Sequence, residues 1–287
     1  MHTRRSALFT AAGLVAGGAG LLAGCSSGKR SAVRATGTRS GAVTSPAPAV
    51  SPVSAAQRMA AQYDYAGAAR LLAGDTSPAA QTALATINRA SASARAWPDT
   101  TEVSHLFYHS LIVDPARAFA KDNPERVGYA QYMVTIKEFK AQLEQIYRHG
   151  YVLIHPERLV TKDAAGVMRP ATVMLPPGKK PLVLSVDDVN YYEYMTGSGF
   201  AANLTLKNGA VTSTYIDAKG TTHLGAYDVP TVIDQFVHQH PDFSYRGDKG
   251  TLAVTGYNGV MGYRSSVKKY GNTAATRSAG LQAKKVA

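Results

Sequence analysis

The stretch Pro181-Leu-Val-Leu-Ser-Val-Asp187-Asp188 constrains this chain more than any other. Leu182 to Val186 is a nearly continuous apolar run, the pattern of a strand buried on both faces. Other segments fit around it. Val103 to Val113 reads as a strand. Thr135-Ile-Lys-Glu138 is a capping box, and the helix behind it carries Ile136, Phe139, Leu143, Ile146 and Tyr147 on one stripe. Gly150 caps that helix and Tyr151 to Ile154 forms a short strand. Residues 201–227 read as a β-ribbon with turns at Asn208-Gly209 and Lys219-Gly220. Pro230 to His240 reads as a helix, Thr251 to Val254 as a strand, and Ala274 to Ala287 as a final helix. Strands separated by helices imply an α/β fold with a parallel sheet or an α/β barrel.

The N-terminus has a different character. Arg4 and Arg5 precede an apolar stretch, Ala7 to Leu22. It falls short of the roughly 20 apolar residues of a membrane span and fits a signal peptide. Leu22-Ala23-Gly24-Cys25 resembles a bacterial lipobox, in which the cysteine is lipidated and becomes the new N-terminus. Residues 1–24 are therefore expected to be a signal peptide and Cys25 a membrane anchor. Thr3 to Leu8 fits a twin-arginine signal, or an ordinary secretion signal with two arginines. Cys25 is the only cysteine, which excludes an intrachain disulfide.

Residues 25–54 are rich in Ser, Gly, Ala, Thr and Pro, and read as a flexible tether. Residues 55–98 read as a helical hairpin. Its first helix runs from Ala55 to Leu72, and Ser77-Pro78 caps the second, which Trp97-Pro98 ends.

The net charge of +12 suggests nucleic acid until it is located. Residues 1–48 and 264–287 contain no acid and hold all the excess, while residues 49–263 carry equal numbers of acids and bases. A nucleic-acid binder needs a basic face on its fold, so no nucleic-acid partner is expected. The basic segment behind Cys25 suits anionic envelope polymers or lipid head groups.

Ligands in α/β folds bind beyond the carboxyl ends of parallel strands. Asp187 and Asp188 end the buried strand there, where one carboxylate can bind a metal and the other act as a base. Asp-Asp is also good turn chemistry. Tyr191, Tyr192 and Tyr194 follow, either to stack on sugar faces or to bridge core and surface. His109 sits near the same strand end, as a pocket or a core residue. His105 and His109 are four apart in a strand, about 13 Å, too far to share an ion. His238 and His240 are poorly spaced for joint ligation on a helix. Gly256, Gly259 and Gly262 match no phosphate-loop pattern, and Gly262-Tyr263-Arg264 is placed to line the cleft.

From His105 onward the chain resembles the NodB-type polysaccharide deacetylases, in particular a lipoprotein branch. The resemblance rests on Phe107-Tyr108-His109-Ser110, Met133 to Phe139, Gly150-Tyr151-Val152, Leu175 to Pro181 and Ser185-Val-Asp187-Asp188-Val189. The family usually has Gly where Val189 stands. The resemblance implies a (β/α) barrel domain over residues 103–287, with Asp187 as general base, Asp188 as metal ligand and a divalent ion, zinc above all. It implies hydrolysis of N-acetyl groups on a polysaccharide outside the cell membrane. The family's second motif, His-x-x-x-His, has no counterpart after Asp188. The barrel and the metal site are thus expected to be incomplete, as in the front part of a longer deacetylase, with little or no activity. A non-catalytic carbohydrate-binding lipoprotein and a structural envelope protein organised by the helical hairpin are the rival readings.

Overall fold

The computed structural model describes residues 50–287; the expected signal peptide, Cys25 and most of the expected tether lie outside them. The first helix, α1 (Pro52–Ala61), starts inside the segment expected to be tether. Ser51 accepts a hydrogen bond from the Ser54 N–H, and Pro52 occupies the first helical position, where its missing N–H costs nothing. The single helix expected over Ala55–Leu72 is broken at Tyr63, which has φ 67°. Asp64 then caps a second helix, α2 (Tyr65–Leu71), through the Gly67 N–H. After Ser77 comes α3 (Pro78–Ser93), capped as the sequence indicates. Small residues and Leu72 and Ile87 form the core between these helices.

The chain continues through β1 (Arg95–Ala96), β2 (Ser104–Tyr108), α4 (Pro115–Ala118), α5 (Arg126–Tyr132), α6 (Ile136–Arg148) and β3 (Tyr151–Leu153). A hairpin of β4 (Val160–Lys162) and β5 (Met168–Pro170) precedes β6 (Met174–Leu175), which pairs with β1. Then comes β7 (Lys180–Val186), the strand of the apolar run. The ribbon follows as β8 (Ala201–Lys207), β9 (Ala210–Ile216) and β10 (Thr222–Gly225). Asn208 and Gly209, both at positive φ, make the tight turn between its first strands. The last elements are α7 (Val229–Gln239), β11 (Thr251–Leu252), α8 (Val267–Tyr270) and α9 (Ala274–Val286).

β7 is the centre of a four-stranded parallel sheet. β2 runs along one edge, from Ser104 opposite Leu182 to Tyr108 opposite Val186. The other edge is shared: β3 pairs with the first half of β7 and β11 with the second. The strand expected over Val103–Val113 stops at Tyr108, and Ile112 makes separate bridges to Thr135 and Phe200. The fold is mixed α/β, and among the described residues no sheet closes into a barrel.

Leu182, Leu184 and Val186 point to one face, beneath Phe139 and Leu143 of α6 and Val232, Ile233 and Phe236 of α7. Removing apolar surface from water, at about 25 cal/mol per Å², makes this layer stabilising. The opposite face carries Val183 and Ser185, with His105 and Phe107 of β2 in register beside them. Tyr63, Val152 and Tyr245 cover its β3 side. Toward β2 it is open: Phe107 is 60% exposed, and the His105 ring meets Ser185 Oγ at 3.0 Å. The helical hairpin is tied to the sheet through Tyr63, whose hydroxyl donates to the Asp242 carbonyl at 2.6 Å.

Candidate functional site

Asp187 and Asp188 sit where the sequence puts them, at the carboxyl end of β7. The Asp187 N–H donates to the Tyr108 carbonyl at 2.7 Å, so the ladder runs one step past the strand. His109 and Asp187 therefore leave neighbouring strands at the same level. Among the described residues the Asp187 carboxylate accepts no hydrogen bond. Asp188 turns into the left-handed region, φ 57°, which costs a non-glycine residue on the order of 1 kcal/mol. Val189, at the position where the family usually has Gly, does not take up this conformation. It is buried, and its backbone pairs with Ala253 at 3.0 Å and Met261 at 2.8 Å.

The turn after the acids is held from several sides. Tyr191 is also left-handed, φ 53°. Arg264 Nη1 donates to the Tyr191 carbonyl at 2.7 Å and the Asn190 carbonyl at 3.4 Å. The Asn190 side chain is buried against the Thr255 hydroxyl. Its amide oxygen accepts from the N–H groups of Thr255 and Gly256, and its nitrogen donates to the Gly259 carbonyl, each at 3.2 Å. Gly262 (φ 89°) presses so closely on β8 that an added Cβ would lie 2.4 Å from the Ala202 carbonyl. The Gly-rich segment is thus a wall of the site, built from close backbone contacts.

The three tyrosines separate. Tyr191 points inward and is 2% exposed, so its ring is not part of the surface expected to meet sugar. Its hydroxyl approaches the Asp228 carboxylate, short of a well-formed hydrogen bond. Burial pushes the Tyr191 hydroxyl pKa well up and raises that of the fully buried Asp228. Asp228 Oδ1 accepts from the N–H groups of Val229 and Leu111, both at 2.9 Å. It caps α7 and fixes the segment after His109 in one contact set. Tyr192 turns outward. Its hydroxyl donates to Asp188 Oδ1 at 2.9 Å and lies 2.8 Å from the Thr255 hydroxyl. Tyr194 stacks on Tyr192, centroids 5.6 Å apart. Tyr257, which the sequence did not single out, stands edge-on to Tyr192 at 6.3 Å. Tyr194 is 54% and Tyr257 65% exposed, so rings stand beside the acids as a surface. Lys269 lies 4.9 Å from the Tyr257 ring and pairs with Glu193 at 2.7 Å, which lowers the Glu193 pKa.

The remaining histidines lie elsewhere. His240 packs on Tyr147 and Phe236 at the far end of α7 from Asp228. His238 is exposed, and His223 pairs with Asp217 in the ribbon at 2.8 Å. Among the described residues no three His, Cys, Asp or Glu side chains are grouped to hold a metal ion, and no helix is long and apolar enough to cross a membrane. The arrangement offers one carboxylate without a hydrogen-bond donor among the described residues, one fixed by a tyrosine, and an aromatic surface alongside. No family model, curated protein or solved structure matches this chain.

Proposed function

We propose that this chain is a lipid-anchored, polysaccharide deacetylase-like protein of the NodB type, working on the extracytoplasmic face of the membrane. One observation carries this reading: adjacent carboxylates at the end of the central parallel strand open beside a stacked aromatic surface. Asp187, without a hydrogen-bond partner among the described residues, is suited to take a proton from water as general base. Asp188, oriented by Tyr192, is suited to hold a divalent metal, zinc by the resemblance. The described residues offer the ion Asp188 and do not complete a ligand set, so the expected turnover is weak. Tyr192, Tyr194 and Tyr257 are suited to stack on pyranose rings of an envelope or extracellular polysaccharide.

The test is acetate release from N-acetylglucosamine oligomers with added zinc. Weak, zinc-dependent release that falls at least about 100-fold in Asp187→Asn supports the reading. The stacked tyrosines also favour a second reading, a non-catalytic carbohydrate-binding lipoprotein. No acetate release, with oligomer affinity unchanged by chelator, Asp187→Asn and Asp188→Asn, would establish that alternative instead. The anchor is tested separately: Cys25→Ser is expected to move the protein from the membrane to the soluble fraction.

A further inference from the structure

We propose that the cavity between Arg117 and Arg264 binds a small molecule carrying an oxyanion, a carboxylate or a phosphate, independently of the chemistry at Asp187 and Asp188. The cavity measures about 340 Å³ and is lined in part by Tyr192. That volume lies at the lower end of small-molecule sites, roughly 300–1,000 Å³. Its wall includes Thr196, Gly197, Phe200 and Asn203.

Two cations line this one space, each held by a single nitrogen. Arg117 Nη1 donates to the Ile216 carbonyl at 2.8 Å and the Tyr215 hydroxyl at 3.3 Å. Arg264 Nη1 is engaged by the carbonyls of Asn190 and Tyr191. Among the described residues, Nη2 and Nε of both guanidiniums have no hydrogen-bond partner. No carboxylate among them forms an ion pair with either side chain. The nearby acids have closer partners: Asp114 caps α4 and receives the Tyr215 hydroxyl at 3.4 Å, and Glu193 holds Lys269 at 2.7 Å while the more distant Arg264 charge adds to it. Gly197, at φ 82°, brings its backbone over the Arg117 Nη2 group, 3.7 Å from where a Cβ would stand.

Half-buried like charges on one cavity disfavour each other, and partial desolvation adds to the cost. An anion relieves both. The planar guanidinium offers paired N–H donors that match carboxylate and phosphate oxygens. Each Nη1 is already committed, to a carbonyl and a hydroxyl in Arg117 and to two carbonyls in Arg264, which leaves Nη2 and Nε as the donors available to an anion.

Titration calorimetry on the full chain with glucuronate, glucose 1-phosphate and glucose tests this. Saturable binding of either acid, with none of glucose, is expected; which acid binds identifies the anion. Arg117→Gln should weaken that binding at least tenfold. Thr196→Glu, from an exposed wall position, should abolish it while the unfolding midpoint stays unchanged. If neither acid binds better than glucose, or both variants bind like the parent, the proposal is overturned. Asp187→Asn should leave this binding intact while acetate release falls, which separates this site's failure from that of the deacetylase reading.

Discussion

The Tyr192 hydroxyl donates to Asp188 Oδ1 at 2.9 Å while lying 2.8 Å from the Thr255 hydroxyl. One ring thus orients an acid at the end of β7 and meets the loop after β11. Tyr192→Phe keeps the ring and removes the orientation. Glycan affinity should stay within about twofold and acetate release should fall roughly tenfold, a loss of about 1.4 kcal/mol in transition-state stabilisation. Tyr192→Ala should lower both. Equal losses of affinity in the two variants would contradict separate roles for ring and hydroxyl.

Arg264 fixes the left-handed Tyr191 through its carbonyl. Arg264→Gln removes a charged donor from two carbonyls and should destabilise the protein by about 1–3 kcal/mol. Urea denaturation would show this as a lower midpoint with an unchanged slope. A midpoint equal to the parent's would mean that the turn holds without the guanidinium.

Asp228 gives a pH signature. Burial raises its folded-state pKa above the ordinary carboxylate value. The folded state therefore favours the protonated acid, and this contribution is fully present below the unfolded pKa. It is lost as pH rises through the raised folded value. Asp228→Asn keeps the shape and an acceptor for Leu111 and Val229 but does not titrate. The variant should gain stability relative to the parent as pH increases across that window. At low pH Asp228→Ala should lose about 1–3 kcal/mol, because two buried N–H groups lose their partner, and the loss should shrink as pH rises across the same window. A pH-independent difference between parent and Asn variant would refute this account.

Phe107 stands 60% exposed on the open side of a parallel sheet. Exposed apolar surface at a sheet edge promotes association. Phe107→Ser should change stability by less than about 0.5 kcal/mol and reduce light scattering on concentration. An unchanged scattering profile would show that this face does not drive association.

What the sequence disclosed follows from how local each signal is. The Thr135–Glu138 capping box and the Asn208-Gly209 turn are completed within a few residues, and both formed as read. The apolar run of β7 needed no partner to be recognised. The break at Tyr63 was hidden because helical spacing continues through it. At the break, Tyr63 reaches a distant partner, the Asp242 carbonyl, that sequence spacing does not reveal. The site divides in the same way. Asp187 and Asp188 could be placed by the strand they end. The inward turn of Tyr191 could not, because it depends on Asp228 and on a carbonyl contact from Arg264. Thr255 and Tyr257 joined the site only through the pairing of β11 with β7. Cys25 and its proposed lipid lie outside the described residues.

Val189 is joined by backbone hydrogen bonds to Ala253 on one side and Met261 on the other. The turn that follows the acid pair is thus anchored to a distant part of the chain. Beside the Asp187 bond to Tyr108 and the Tyr192 bond to Asp188, the pair is backed by a segment more than sixty residues further along the chain. In hydrogen-exchange terms, the amides of Val189, Ala253 and Met261 are expected to be protected together. A partner that frays residues 251–264 is expected to loosen the turn after Asp188 without touching either acid.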